Sequence, residues 1–122
     1  MLTWRLFILT SLSELIKFMN ITVEELNNMR IENKPHTLLD IREIDEINIC
    51  SIEGSLNIPM NTLLDNLDKL PRHNPLIVMC HIGGRSMQVT QWLSQNGFDN
   101  AMNLDGGISA WSNEIDDTIP QY

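Results

Sequence analysis

Leu76-Ile77-Val78-Met79-Cys80-His81-Ile82-Gly83-Gly84-Arg85-Ser86 is the stretch from which the fold is read. An apolar, β-forming run follows Pro75, ends on a cysteine, passes through two glycines and enters a helical pattern near Arg85. That order is strand, tight loop, helix, with a thiol at the carboxyl end of the strand. Backbone N–H groups of such a loop, together with a helix N-terminus, converge on an anion. A cysteine sulfur held there is favoured as thiolate, its nucleophilic form.

Working outward, the same alternation repeats. Thr22 and Glu25 form a capping-box pattern opening a helix from Val23 to about Arg30. Thr37-Leu38-Leu39-Asp40-Ile41 is a strand, and the acidic start of Arg42 to Ile49 suits a short helix. A turn at Gly54 leads into a brief strand stopped by Pro59, and Leu63, Leu64, Leu67 and Leu70 mark a helix ended by Pro71. The helix Ser86 to Asn96 turns Val89, Trp92 and Leu93 inward and closes on Gly97. Asn100 to Leu104 is a last strand, Gly106-Gly107 starts a final helix carrying Trp111, and the polar tail 116–122 is expected on the surface. Strands alternating with helices predict an α/β fold, an open, mainly parallel sheet flanked by helices on both faces. Ligands of such sheets bind beyond the carboxyl ends of the strands, where Asp40, Cys80 and Asp105 fall.

The 122 residues allow one domain with an ordinary core, and an apolar share of 43% is that of a globular chain. A net charge of −8 with eight basic residues argues against a nucleic-acid surface. Residues 1–18 are read as an N-terminal extension, either an appended amphipathic helix or a stretch upstream of a start at Met19, with 19–122 as the domain. The apolar run at the start is too short to span a bilayer, so no membrane association is expected. Cys50 and Cys80 have neither zinc-ligand spacing nor a structural need for a disulfide, so no metal or cofactor is expected and a reducing, cytoplasmic setting is.

Cys80 alone would read as a small buried hydrophobe. The glycine-bearing loop and Arg85 change that reading, because a packing cysteine needs neither. Arg85 is expected to bind an anionic substrate with its fork of donors, in a field kept positive by the lack of Asp or Glu between Cys80 and Ser86. Ser86 is taken as the helix N-cap or a hydroxyl donor, the cap being preferred. His81 next to the nucleophile invites a Cys/His dyad, but neighbours in a tight loop point apart, and that role is set aside. Trp92 and Trp111 are assigned to the core. Asp40 and Arg42 are read as a structural pair beneath the loop.

Leu39 to Glu43, Ile52 to Pro59, the loop Cys80 to Ser86, Gly97-Phe98 to Leu104, and Gly106-Gly107-Ile108 with Ala110-Trp111 together resemble a single rhodanese domain, from about Ile21 to Trp111. The resemblance implies a five-stranded parallel sheet and a Cys80 that accepts a sulfane sulfur as a persulfide. It also implies that His81, Ile82, Gly83, Gly84, Arg85 and Ser86 form the substrate-binding loop. The expected activity is transfer of sulfur from thiosulfate or a persulfide donor to a thiol, cyanide or protein acceptor. The six residues from Cys80 through Arg85 match the sulfurtransferases; the related phosphatases and arsenate reductases carry one more. Three rivals stand beside this: a non-catalytic carrier or docking module, a cysteine-dependent phosphatase or arsenate reductase, and thiol redox signalling through a Cys50–Cys80 disulfide. Ser51 in place of the family's frequent His, and Cys50 in place of a glycine, depart from the pattern.

Overall fold

The computed structural model describes residues 11–122. In chain order its elements are α1 (Leu12–Phe18), β1 (Asn20–Ile21), α2 (Val23–Ile31), β2 (Thr37–Asp40), α3 (Ile44–Ile49), β3 (Leu56–Asn57), a 3₁₀ segment (Met60–Lys69), β4 (Leu76–Met79), α4 (Gly84–Gln95), β5 (Ala101–Leu104) and α5 (Gly107–Glu114). The five strands pair in the order β1-β5-β4-β2-β3, every pairing parallel. All carboxyl ends therefore lie along one edge. From β2 the chain moves outward to β3, and from β4 it moves the opposite way to β5. The switch point falls between β2 and β4, where such sheets open a crevice.

Alternation along the strands divides the core. Leu39, Leu76, Val78 and Cys80 face one way with Leu63, Val89, Leu93 and Phe98. Leu38, Ile77 and Met79 face the other with Leu26, Cys50, Ile108 and Trp111. Near-continuous apolar β4, buried at all four positions, is what a central parallel strand covered on both faces requires. The same division puts Cys50 and Cys80 on opposite faces of the sheet, both as free thiols. A disulfide between them would need the sheet to come apart.

The Thr22–Glu25 capping box forms as expected, with both reciprocal bonds. Several expectations are corrected. Two-residue β1 is too short to leave a periodic signal, yet it supplies the edge beyond β5. The leucine run 63–70 is a 3₁₀ segment with a non-helical Asn66, not an α-helix. Trp92 is 37% exposed and lines a shallow apolar groove with Met60, Leu63 and Leu64, whereas Trp111 is core. The tail is not simply a surface strand: Ile119 packs on the Trp111 side of the core, and Tyr122 returns to the carboxyl edge of the sheet. The expected N-terminal helix forms over Leu12–Phe18 with no buried residue, and its apolar start at 1–10 lies outside the described residues. Among the described residues, no helix is long and apolar enough to cross a membrane.

Candidate active site

Cys80 stands one residue past the end of β4 and is 1% exposed. Its Sγ accepts from the backbone N–H of Gly83 at 3.1 Å and of Ser86 at 3.4 Å, and lies 3.2 Å from Ser86 Oγ. The loop curls around the sulfur because Gly83 takes φ +126°, which a side chain rarely adopts. Gly83, not Ser86, is the N-cap, and α4 begins two residues before the expected start. Ser86 is consequently inside the first turn, fully buried, with its hydroxyl turned onto the sulfur.

The direction of that hydroxyl follows from proton accounting. Asn20 Nδ2 donates to the Ile16 carbonyl, so Asn20 Oδ1 accepts from Asn103 Nδ2 at 2.8 Å. Asn103 Oδ1 is left facing Ser86, whose Oγ–H donates to it at 2.5 Å. The lone pairs of Ser86 Oγ are then free to receive a thiol S–H, while the two backbone donors hold a thiolate.

A second loop locks the first. Ile108 N–H donates to the Cys80 carbonyl and Ser109 N–H to that of His81, both at 3.0 Å. Gly107 makes this approach feasible: at φ +59° it sits where a Cβ would lie 2.5 Å from both carbonyl oxygens. The Gly106-Gly107 pair thus fixes the backbone of Cys80 as well as starting a helix.

Asp40 and Arg42 form the expected pair, fully buried, with Arg42 Nη2 donating to Oδ2 at 2.7 Å. Arg42 also donates to the carbonyls of Glu46 within α3 and of Cys50 at its C-cap, tying the end of β2 to that helix. Asn57 Nδ2 closes the other side by donating to the carbonyls of Asp40 and Arg42.

The expected positive field around Arg85 is corrected. Glu46, projecting from α3, accepts both Arg85 Nη1 and Nη2, at 2.7 and 2.8 Å. Tyr122 Oη donates to Glu46 Oε2 at 2.7 Å and accepts from Arg42 Nη1 at 3.0 Å. The Tyr122 ring stacks on His81, 3.9 Å between centroids and 9° from parallel. Hydrogen bonds from Arg85 hold the Glu46 carboxyl at about 2, against partial burial that opposes this, with Tyr122 adding to the depression. Burial pushes the Tyr122 phenol up to about 12. Arg85 is raised chiefly by Glu46, with the charge of a Cys80 thiolate contributing.

Sequence reasoning singled out Cys80, its loop and the Asp40–Arg42 pair, and the fold places them along one edge of the sheet. Ile82 is at the exposed tip of that loop, with Gly84 beside it. It missed Asn103, whose signal was an amide in an apolar strand, and Glu46 and Tyr122, which lie far from the loop in sequence and left no local signal.

Residues 22–114 match the family model of the rhodanese-like domain, and the chain belongs to that family. It is 36% identical over 110 residues to the adenylyltransferase and sulfurtransferase UBA4 of Meyerozyma guilliermondii, a match covering 84% of this chain and 26% of that protein. It is 37% identical over 124 residues to the rhodanese-like/PpiC domain-containing protein 12, chloroplastic, of Arabidopsis thaliana, covering 96% and 42%. The chain thus spans less than half the length of these curated relatives. The crystal structure of a rhodanese-like domain protein from Staphylococcus aureus superposes with a TM-score of 0.73 at 35% identity, covering 79% of this chain and 93% of that one.

Proposed function

We propose that the protein is a sulfurtransferase that carries sulfane sulfur as a persulfide on Cys80. The observation that carries this reading is the environment of the sulfur: two backbone N–H donors, the Ser86 hydroxyl and the start of α4 surround it. The two N–H donors and the positive end of α4 suit a thiolate before the reaction and the negative sulfur of a persulfide after it. In the first half-reaction the Cys80 thiolate attacks the outer sulfur of a donor. The donor's S–S bond breaks, and its remainder leaves with the electron pair. In the second, an acceptor thiolate attacks the terminal sulfur and Cys80 leaves as thiolate.

The six-residue loop from Cys80 through Arg85 supports sulfur over phosphate as the transferred group. The name of the Meyerozyma guilliermondii relative, with its word "sulfurtransferase", supports the same reaction class. The donor is thiosulfate or a persulfide and the acceptor a thiol, small or on a protein. Two free thiols on opposite faces of the sheet support a reducing setting.

Turnover with a sulfane donor and a thiol acceptor tests the proposal. Cys80→Ser should abolish transfer without changing the fold, while Cys50→Ser, on the other face, should retain it. Transfer that survives Cys80→Ser, or aryl-phosphate hydrolysis dependent on Cys80 in place of sulfur transfer, would overturn it.

A further inference from the structure

Two matched ion pairs flank the loop, Arg42 with Asp40 and Arg85 with Glu46. Arg85 is the cation nearest in sequence to the nucleophile, and both arms of its guanidinium fork are already taken by one carboxylate. The end-on edge of the guanidinium, Nη1 with Nη2, is thus occupied and its charge is matched by that carboxylate. An incoming dianion must displace Glu46 or settle beside it. Displacement is opposed from two sides, because Tyr122 Oη holds Oε2 while being held itself by Arg42 and by its stack on His81.

We propose that Glu46, held by Tyr122, is a specificity-determining residue. By neutralising Arg85 it selects alkyl persulfides, at most monoanions, over the thiosulfate dianion as sulfur donors. The inference rests on the sulfur-transfer reading of Cys80 and names the donor class for it. With a persulfide, the Cys80 thiolate bonds to the outer sulfur of R–S–SH and the donor's S–S bond breaks. The proton ends on the leaving thiol, giving Cys80–S–S⁻ and R–SH. With thiosulfate the same bond forms and sulfite leaves as its dianion, so both routes balance without an added oxidant or reductant. They differ in the charge brought to the site.

The test separates charge from chemistry. In a Cys50→Ser background Cys80 is the only thiol. Its rates are then measured with uncharged, sulfonate-bearing and trimethylammonium-bearing methanethiosulfonates, each of which forms a mixed disulfide and releases methanesulfinate. Glu46→Gln keeps the shape and removes the charge. It should raise the anionic-to-cationic rate ratio roughly fivefold or more while the uncharged reagent changes by less than about twofold. The ratio of kcat/KM for thiosulfate to that for an alkyl persulfide should rise by a similar factor. Tyr122→Phe removes only the hydroxyl that fixes Oε2 and should move both ratios the same way by less, which carries the test if Glu46→Gln fails to fold.

Unchanged reagent ratios, equal slowing with all three reagents, or a shifted reagent ratio with an unchanged donor ratio would each overturn the assignment. A protein that transfers sulfur from no donor, yet shows the shifted reagent ratio, would instead remove the sulfur-transfer reading and leave the charge effect standing.

Discussion

The position least tolerant of change is Gly107. Its φ of +59° and the 2.5 Å approach of a would-be Cβ to the Cys80 and His81 carbonyls combine a conformational and a steric demand. Gly107→Ala should cost roughly 2 kcal/mol or more of stability in urea denaturation, since neither the strain nor the clash can relax independently. Because the displaced atoms are the backbone of the nucleophile, sulfur transfer should fall by about tenfold or more even where the variant stays folded. Glycine at 106–107 was visible in the sequence as a helix start. Its contact with the cysteine loop was not, because that contact joins segments about 25 residues apart and depends on how β4 and β5 are paired.

Among elements, the short helix α3 is held mainly by polar anchors. It has no buried residue of its own, so what fixes it is Arg42 beneath and Arg85 above. Arg42→Met leaves the Asp40 carboxylate buried without its partner. It should cost about 3–5 kcal/mol, as removal of one member of a fully buried pair does, read from the denaturation midpoint. The Glu46–Arg85 contact makes a separate, pH-dependent contribution. The folded carboxyl titrates at about 2 rather than 4.5, so its stabilisation is fully present above pH 4.5 and is lost as pH falls toward 2. Wild type should therefore lose stability relative to Glu46→Gln across that interval in acid titrations followed by circular dichroism. Parallel curves would show that the pair contributes nothing. The acidic start of α3 forms its first turn as read, with Glu46 closing a capping box on the Glu43 N–H, and that same carboxylate also crosses to the opposite loop.

At the scale of the whole molecule, the parallel sheet was legible because apolar runs at Leu38-Leu39 and Leu76–Met79 alternate with helical spacing, and Cys80 was legible because it ends one of those runs before glycines. What stayed hidden shares a physical character. β1 is two residues long, Ser86 falls inside the first turn of α4 because Gly83 takes the cap, and Tyr122 reaches the site only because the tail wraps back over α5. Gln121 bonds Ser109, and Ser112 Oγ donates to the Ile119 carbonyl. Each of these depends on long-range closure, which residue patterning does not encode.

The most direct measurement is the mass of the intact protein after exposure to excess sulfane donor, thiosulfate in one arm and an alkyl persulfide in the other, followed by a thiol acceptor. The persulfide reading of Cys80 predicts a gain of one sulfur atom, located at Cys80 by fragmentation, absent in Cys80→Ser and removed by the acceptor. No gain with either donor, or the same gain in Cys80→Ser, would contradict it.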